Sequence, residues 1–213
     1  MARVPFGSRF GHLKCHGGCD QPESRKKSRR VCNVLHVTVN DIPRERRTRS
    51  IVILLVLAVV WLFAYSPSAK LRSVLAAMGY TFVEYSFTYF NNGIAYTSFA
   101  QFWGNLLYTP LLLDTYWVLL IGDVAPSPSI MSTSVLMYIA LFPFNIWLLE
   151  IIEDLIFLVV YGRNVAWCYC EYPDSYLGGS VRLGHAVFWL ALGLFLSRGY
   201  PSLKITTDDM YPL

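Results

Sequence analysis

The chain has 213 residues, of which 54% are hydrophobic and only 15% charged, and its mean hydropathy is +0.41. These proportions exclude a highly charged soluble chain and point to an integral membrane protein. The net charge of +4 averages two regimes. Residues 1–50 hold 12 of the 18 Lys and Arg against four acids, whereas the remainder holds six basic and ten acidic residues. That basic bias beside the first apolar run favours a cytosolic amino terminus.

Residues 1–50 are rich in Gly, Ser and Arg and poor in large apolar residues, so a disordered basic tail is expected, able to touch anionic lipid. An Arg- and Ser-rich, acid-poor start is also the composition of an organellar targeting segment, and Asp20 and Glu23 run against that reading. A secretory signal peptide is not expected, because apolar sequence begins only at Ile51. Cys15, Cys19, Cys32 and His36 fall loosely within zinc-ligand spacing. Their segment lacks flanking core residues, and no metal or cofactor is assigned. Cys168 and Cys170 are one residue apart, poorly placed to bridge, and are read as free thiols.

Five apolar stretches follow, near 51–66, 71–90, 97–121, 130–161 and 179–197. The first, IVILLVLAVVWLFAY, spans only ~22 Å at ~1.5 Å per residue, and snorkelling arginines can make up the difference from a ~30 Å hydrocarbon core. Ser66-Pro67-Ser68 stops it. The second is two-faced, with Thr81, Glu84, Thr88 and Asn91 on one side at helical spacing. The third gathers Gln101, Asn105, Tyr108 and Thr109, and Pro110 predicts a kink. Asp123 to Ser129, with two prolines, reads as a loop. The fourth is too long for one perpendicular crossing, so tilt, a kink at Pro143 or protrusion must absorb the excess. Residues 162–178 form an aromatic connection suited to a membrane interface, predicting a packed cap built from Trp167, Tyr169, Tyr172 and Tyr176. The fifth contains Gly179, Gly184 and Gly193, which permit close helix approach. The expected architecture is therefore an all-α, polytopic helical membrane protein. It has a disordered basic tail (1–50), about five transmembrane helices (51–198) and a short C-terminal tail (199–213). Its termini are expected on opposite faces.

Acids inside those stretches are the chemical signal. A charge at the bilayer centre costs about 2.5–3.5 kcal/mol on insertion scales, so Glu84, Glu150, Glu153 and Asp154 should turn inward. Trp147, Glu150, Asp154, Phe157 and Tyr161 recur at i, i+3, i+4 spacing, placing the carboxylates on one face. Glu84 and Glu150 are expected to face each other's helices, sharing a proton or sharing Arg182 as counter-ion. Arg182 and His185 complete the candidate intramembrane polar site. The bland alternatives are structural pairing for Glu84, protrusion into headgroups for Glu153 and Asp154, and a hydrogen-bonded structural role for His185. No phosphate loop, HExxH or GxSxG motif is present, so ATP hydrolysis by this chain is not expected.

Three spaced blocks resemble the transmembrane protein 229 family and its bacterial relatives, which are labelled ABC-transporter permease-like membrane proteins. Gly79-Tyr80-Thr81-Phe82-Val83-Glu84 resembles the family's glycine-aromatic and glutamate start to a core helix. Leu149-Glu150 resembles its second membrane glutamate. Trp167, Tyr169, Gly179, Leu183, Ala186, Val187 and Trp189 follow the order of its tryptophan turn and last helix. The resemblance covers about residues 75–195. It departs at Cys168, where the family has an acid, and at Asp154, where it has a glycine.

The resemblance implies a multi-pass, permease-like or partner-binding subunit without its own ATPase, in contact with the lipid bilayer and with protein partners, and with no nucleic acid. Two rival expectations are a membrane-embedded enzyme acting on a lipid or isoprenoid through Glu84, Glu150 and His185, and a structural subunit of an organellar membrane complex. The sequence does not name the organelle.

Overall fold

The computed structural model describes residues 33–35, 42–92, 96–122, 132–164, 166–167, 169 and 172–211. The candidate ligands Cys15, Cys19, Cys32 and His36, the loop 123–129, and Cys168 and Cys170 lie outside the described residues.

The fold is all-α. Its helices are α1 (Arg47–Ala64), α2 (Pro67–Asn92), α3 (Phe99–Tyr108), α4 (Asp114–Leu120), α5 (Thr133–Tyr161) and α6 (Ala186–Met210). Short strands β1 (Asn33–Leu35) and β2 (Tyr96–Ser98) pair in parallel, and β3 (Ser175–Tyr176) pairs antiparallel with β4 (Val181–Arg182). Within residues 1–50, expected as a disordered tail, Asn33–Leu35 thus pair as a strand and residues 44–50 are helical. Arg46 explains the early helix start. Its Nη1 donates to the Leu158 carbonyl at 2.8 Å, placing a cation on the negative end of α5. Ser50 Oγ donates to the Val160 carbonyl at 3.0 Å beside it.

The other boundaries have similarly local causes. Pro67 opens α2, where its missing N–H has no partner to lose, and the Ser66 hydroxyl accepts the Ala69 N–H at 3.3 Å. Ser132 caps α5 through the Val135 N–H at 3.3 Å. Gly162 closes α5 at φ +79°, the left-handed region that suits glycine. Between α3 and α4 the chain makes a π-turn at Thr109–Leu113, at Pro110, the residue read as a kink. Pro143 lies inside the uninterrupted α5.

The fifth segment required correction at both ends. Residues 175–182 form the β3–β4 hairpin, so the helix begins only after the 3₁₀ turn Leu183–His185. It then runs through Pro201 to Met210, absorbing most of the expected C-terminal tail. Burial of Tyr200, Pro201 and Thr207 against neighbouring helices outweighs the stop signal in Ser197-Arg-Gly-Tyr-Pro.

Taking α3, the π-turn and α4 as one rod, five rods alternate in direction. The start of α1 meets the end of α5. The start of α2 meets the end of α6 through Arg72 and Asp208, and its far end meets the start of α6 through Phe87 and Phe188. On α4, Trp117 packs on Tyr138 near the start of α5. Three helices are long and apolar enough to cross a membrane: Arg44–Ala64, Thr133–Tyr161 and Leu183–Met210. The second and third predicted segments form helices but do not reach that apolarity among the described residues, because Lys70, Arg72, Glu84, Gln101, Asn105 and Asp114 interrupt them. Five spans are therefore not shown; three helices meet the length and apolarity that a crossing requires.

The core centres on Leu113, Trp117, Tyr138, Phe142, Ile146, Leu149 and Tyr200, joining α4, α5, α6 and the π-turn. The exterior is apolar, with Phe63 83% exposed and Phe82, Leu119 and Phe195 also open, while Ser50, Ser73, Asn105, Thr109 and Thr207 are buried. Polar inside and apolar outside is the distribution expected where the surrounding solvent is hydrocarbon.

Candidate functional site: a buried acidic seam

The sequence brings polar residues to one interior seam from four directions. Glu84 comes from α2, and the Gln101 side chain on α3 hydrogen-bonds it. Asn105, four residues on and so on the same helical face as Gln101, donates through Nδ2 to the Gln101 carbonyl at 2.9 Å. Glu150 and Glu153 come from α5 and are buried. Gly104 explains how α3 and α5 come so close. A Cβ at that position would collide with Glu153 Oε1 and stand 2.7 Å from its Cδ. From the connection, Tyr169 donates its hydroxyl toward Glu150 Oε1 at 3.5 Å. Glu84, Glu150 and Glu153 are close enough to act on one another electrostatically, and Tyr80 feels all three.

Glu84 and Glu150 influence each other electrostatically although their helices do not pack extensively on one another. α2 packs mainly on α3 and α6, and α5 packs mainly on α6. The Trp147–Tyr161 face of α5 does point inward, with Glu150 and Phe157 buried along it. Thr81 does not serve Glu84; its hydroxyl donates to the Ala77 carbonyl of its own helix at 2.7 Å.

Three predicted site residues belong to a different structure, the cap. Asp154 accepts from Asn164 Nδ2 at 2.7 Å and from Ser180 Oγ at 2.6 Å. Asn164 Oδ1 in turn receives the Ala166 and Trp167 N–H groups, and Trp167 Nε1 donates to the Ser180 carbonyl at 2.8 Å. Tyr169 N–H reaches the Gly179 carbonyl at 3.0 Å, and Gly179 sits at φ +97°. Asp154 therefore anchors the connection to α5. Arg182 does not serve as counter-ion to the seam. It pairs with Asp174 at 3.2 Å, lies 3.7 Å from the Tyr172 ring centroid and faces His185 Nε2 at 3.3 Å. His185 is enclosed edge-on by Phe87, Tyr169, Phe188 and Trp189. Of the aromatic cap, Trp167 and Tyr169 pack inward, Tyr172 covers Arg182 and Tyr176 is exposed. Among the family-motif residues, Trp189 stacks on Tyr80 at 6.4 Å, and a Cβ at Gly79 would meet open space, so packing does not require glycine there.

At the opposite end of the bundle the structure shows a cluster that sequence reasoning missed. Arg72, buried near the start of α2, bonds Asp208 at 2.6 Å, Thr207 at 2.9 Å and Asp114 at 3.1 Å. One guanidinium thus ties α2, α4 and the end of α6, and Lys204 adds a second contact to Asp208 at 3.0 Å.

Asp174 gives a pH prediction outside the spanning helices. Desolvation raises its carboxyl, but hydrogen bonds from the Gly184 and Asp174 backbone and from Arg182, with the Arg182 charge, together outweigh that and hold it below the usual carboxylate range. A depressed folded value contributes stability above about pH 3.9, lost as pH falls through the lowered value. The protection of the Gly184 amide against hydrogen exchange, relative to its intrinsic rate at each pH, should therefore fall in acid, and Asp174→Asn should remove that dependence.

Two surface hollows lie away from the acids. One, about 650 Å³, is a groove along α6 at Ala191, Leu194, Phe195, Arg198 and Gly199. The other, about 300 Å³, lies beside Ser66, Ser68, Arg72, Lys204, Asp208 and Tyr211. Among the described residues no group of three or more His, Cys, Asp and Glu is arranged to hold a metal ion.

The class these features define is an all-α protein with three helices long and apolar enough to cross a bilayer, which is compatible with a membrane protein. Compared with family models, with curated proteins and with solved structures, the chain matches none.

Proposed function

We propose that this is a multi-pass membrane protein whose five rods all cross the bilayer, and that it acts as a permease-like, partner-binding subunit with no ATPase of its own. The observation that supports this reading is the seam: two buried carboxyls, Glu150 and Glu153, and the half-buried Glu84, gathered inside a bundle whose outer surface is apolar. Groups that expensive are retained where they serve a pathway or an assembly. The three blocks similar to the transmembrane protein 229 family point the same way. The lipid- or isoprenoid-enzyme reading draws less support, because His185 is walled in by aromatic rings.

The test is purification of the full chain from native membranes in mild detergent. The expected result is an assembly larger than the single chain that includes another membrane protein and dissociates when Glu84 and Glu150 are both changed to Gln. A lone chain that by itself converts added phospholipid or isoprenoid lipid would overturn the reading. In the same assembly assay the two single Gln changes should couple by about 0.5–3 kcal/mol, because both act on one electrostatic group. Additive singles would contradict a shared seam.

A further inference from the structure

We propose that the seam is a proton-binding site, in which Glu84, Glu150 and Glu153 are held neutral by protons. The inference rests on the multi-pass reading, which places the seam at membrane depth. It begins with what the seam lacks. Glu84 Oε2, Glu150 Oε2, Glu153 Oε1, Asn105 Oδ1 and Thr109 Oγ1 are all buried without a hydrogen-bond partner. Asn105 is 1% exposed and Thr109 fully buried, so neither relies on outside water. Four of these five atoms can only accept when the carboxyls are ionised. The deficit is one of hydrogens.

Charge gives the same answer from every packed element. α2 contributes Tyr80 and Glu84. α3 contributes Gln101 and Asn105, with no charge. α5 contributes Glu150 and Glu153, while Asp154 is turned to Asn164 and Ser180. From the connection come Tyr169, which reaches Glu150, and Arg182, which is held by Asp174. His185, ahead of α6, directs Nε2 to Arg182. Arg72 is at the far end, committed to Asp114 and Asp208. Among the described residues no Lys or Arg pairs with any of the three acids. Uncompensated carboxylates in so dry a setting are strongly disfavoured, and a neutral carboxyl both removes the charge and supplies the missing donor. A metal ion fits poorly, since the acids are not arranged as a metal-ligand group.

The experiment is infrared spectroscopy of the full chain in phosphatidylcholine vesicles at neutral pH, where surface carboxyls are ionised. The expected result is a carbonyl band of neutral carboxylic acid that shifts in deuterated water and loses intensity in Glu150→Gln and in Glu153→Gln. Because Gln is the neutral isostere, both variants should keep the wild-type fold and melting temperature. The wild-type spectrum needs no variant to fold: absence of the band in a chain shown to span the vesicle overturns the proposal while leaving the multi-pass reading intact. Gln variants that unfold, showing that a negative charge is required, would also overturn it.

Discussion

Arg72→Ala is expected to destabilise the folded chain by about 3 kcal/mol, the lower end of the cost of breaking a buried ion pair, because Arg72 is buried and Asp114 half-buried. The guanidinium bonds groups on α4 and α6 at once, and its removal strands Asp114, whose Oδ1 already lacks a partner and whose Oδ2 would lose the 3.1 Å bond. Asp208 suffers less, because Lys204 holds its other oxygen and the group is more exposed. The companion variant Arg72→Met with Asp114→Leu should recover most of the loss, since exchanging a whole buried pair for apolar side chains is far less harmful than halving it. Thermal melts in lipid nanodiscs decide the matter. A melting temperature unchanged in Arg72→Ala would mean that the cluster does not hold these helices together.

Gly193→Ala is expected to cost about 1–3 kcal/mol through overpacking. A Cβ at this position of α6 would stand 2.7 Å from Phe142 Cβ and 2.9 Å from its Cγ. Those atoms are fixed to the α5 backbone and its core, so the helices themselves must separate. The α5–α6 contact is the most extensive in the molecule, and Phe142 is fully buried within it. Gly199→Ala on the same helix is the control, because its added Cβ would meet only Phe195 Cε1 at 3.9 Å. Equal losses in both would show that helix propensity or lipid contact, rather than close approach, sets the cost.

The sequence carried the large features well, because periodicity and hydropathy are local. The inward face of α5 followed from the spacing of Trp147, Glu150, Asp154, Phe157 and Tyr161, and Gly193 was marked as a point of close approach. The misreadings have tertiary causes. Nothing local marks the Arg72 cluster, because the partners Asp114 and Asp208 are 42 and 136 residues away. Arg182 was offered to the acids because it is the nearest cation along the last helix, whereas the hairpin turns it to Asp174. Asp154 shares its helical face with Glu150 yet is taken up by Asn164 and Ser180, a choice made by the fold of the connection. Gly104 could have been found: its spacing from Gln101 and Asn105 put a small residue on the polar side of α3.

The account's central claim is that the bundle crosses the bilayer along its rods, with its hairpin end and its Arg72 end on opposite faces. In a chain whose five native cysteines are replaced by Ser, single cysteines at Tyr176 in the hairpin and at Asp209 near the end of α6 would be tested with a membrane-impermeant maleimide in sealed, oriented vesicles. Both positions are exposed and lie at opposite ends of the bundle. The account predicts that one labels only from outside and the other only after the vesicles are opened. Labelling of both from the same side would contradict it.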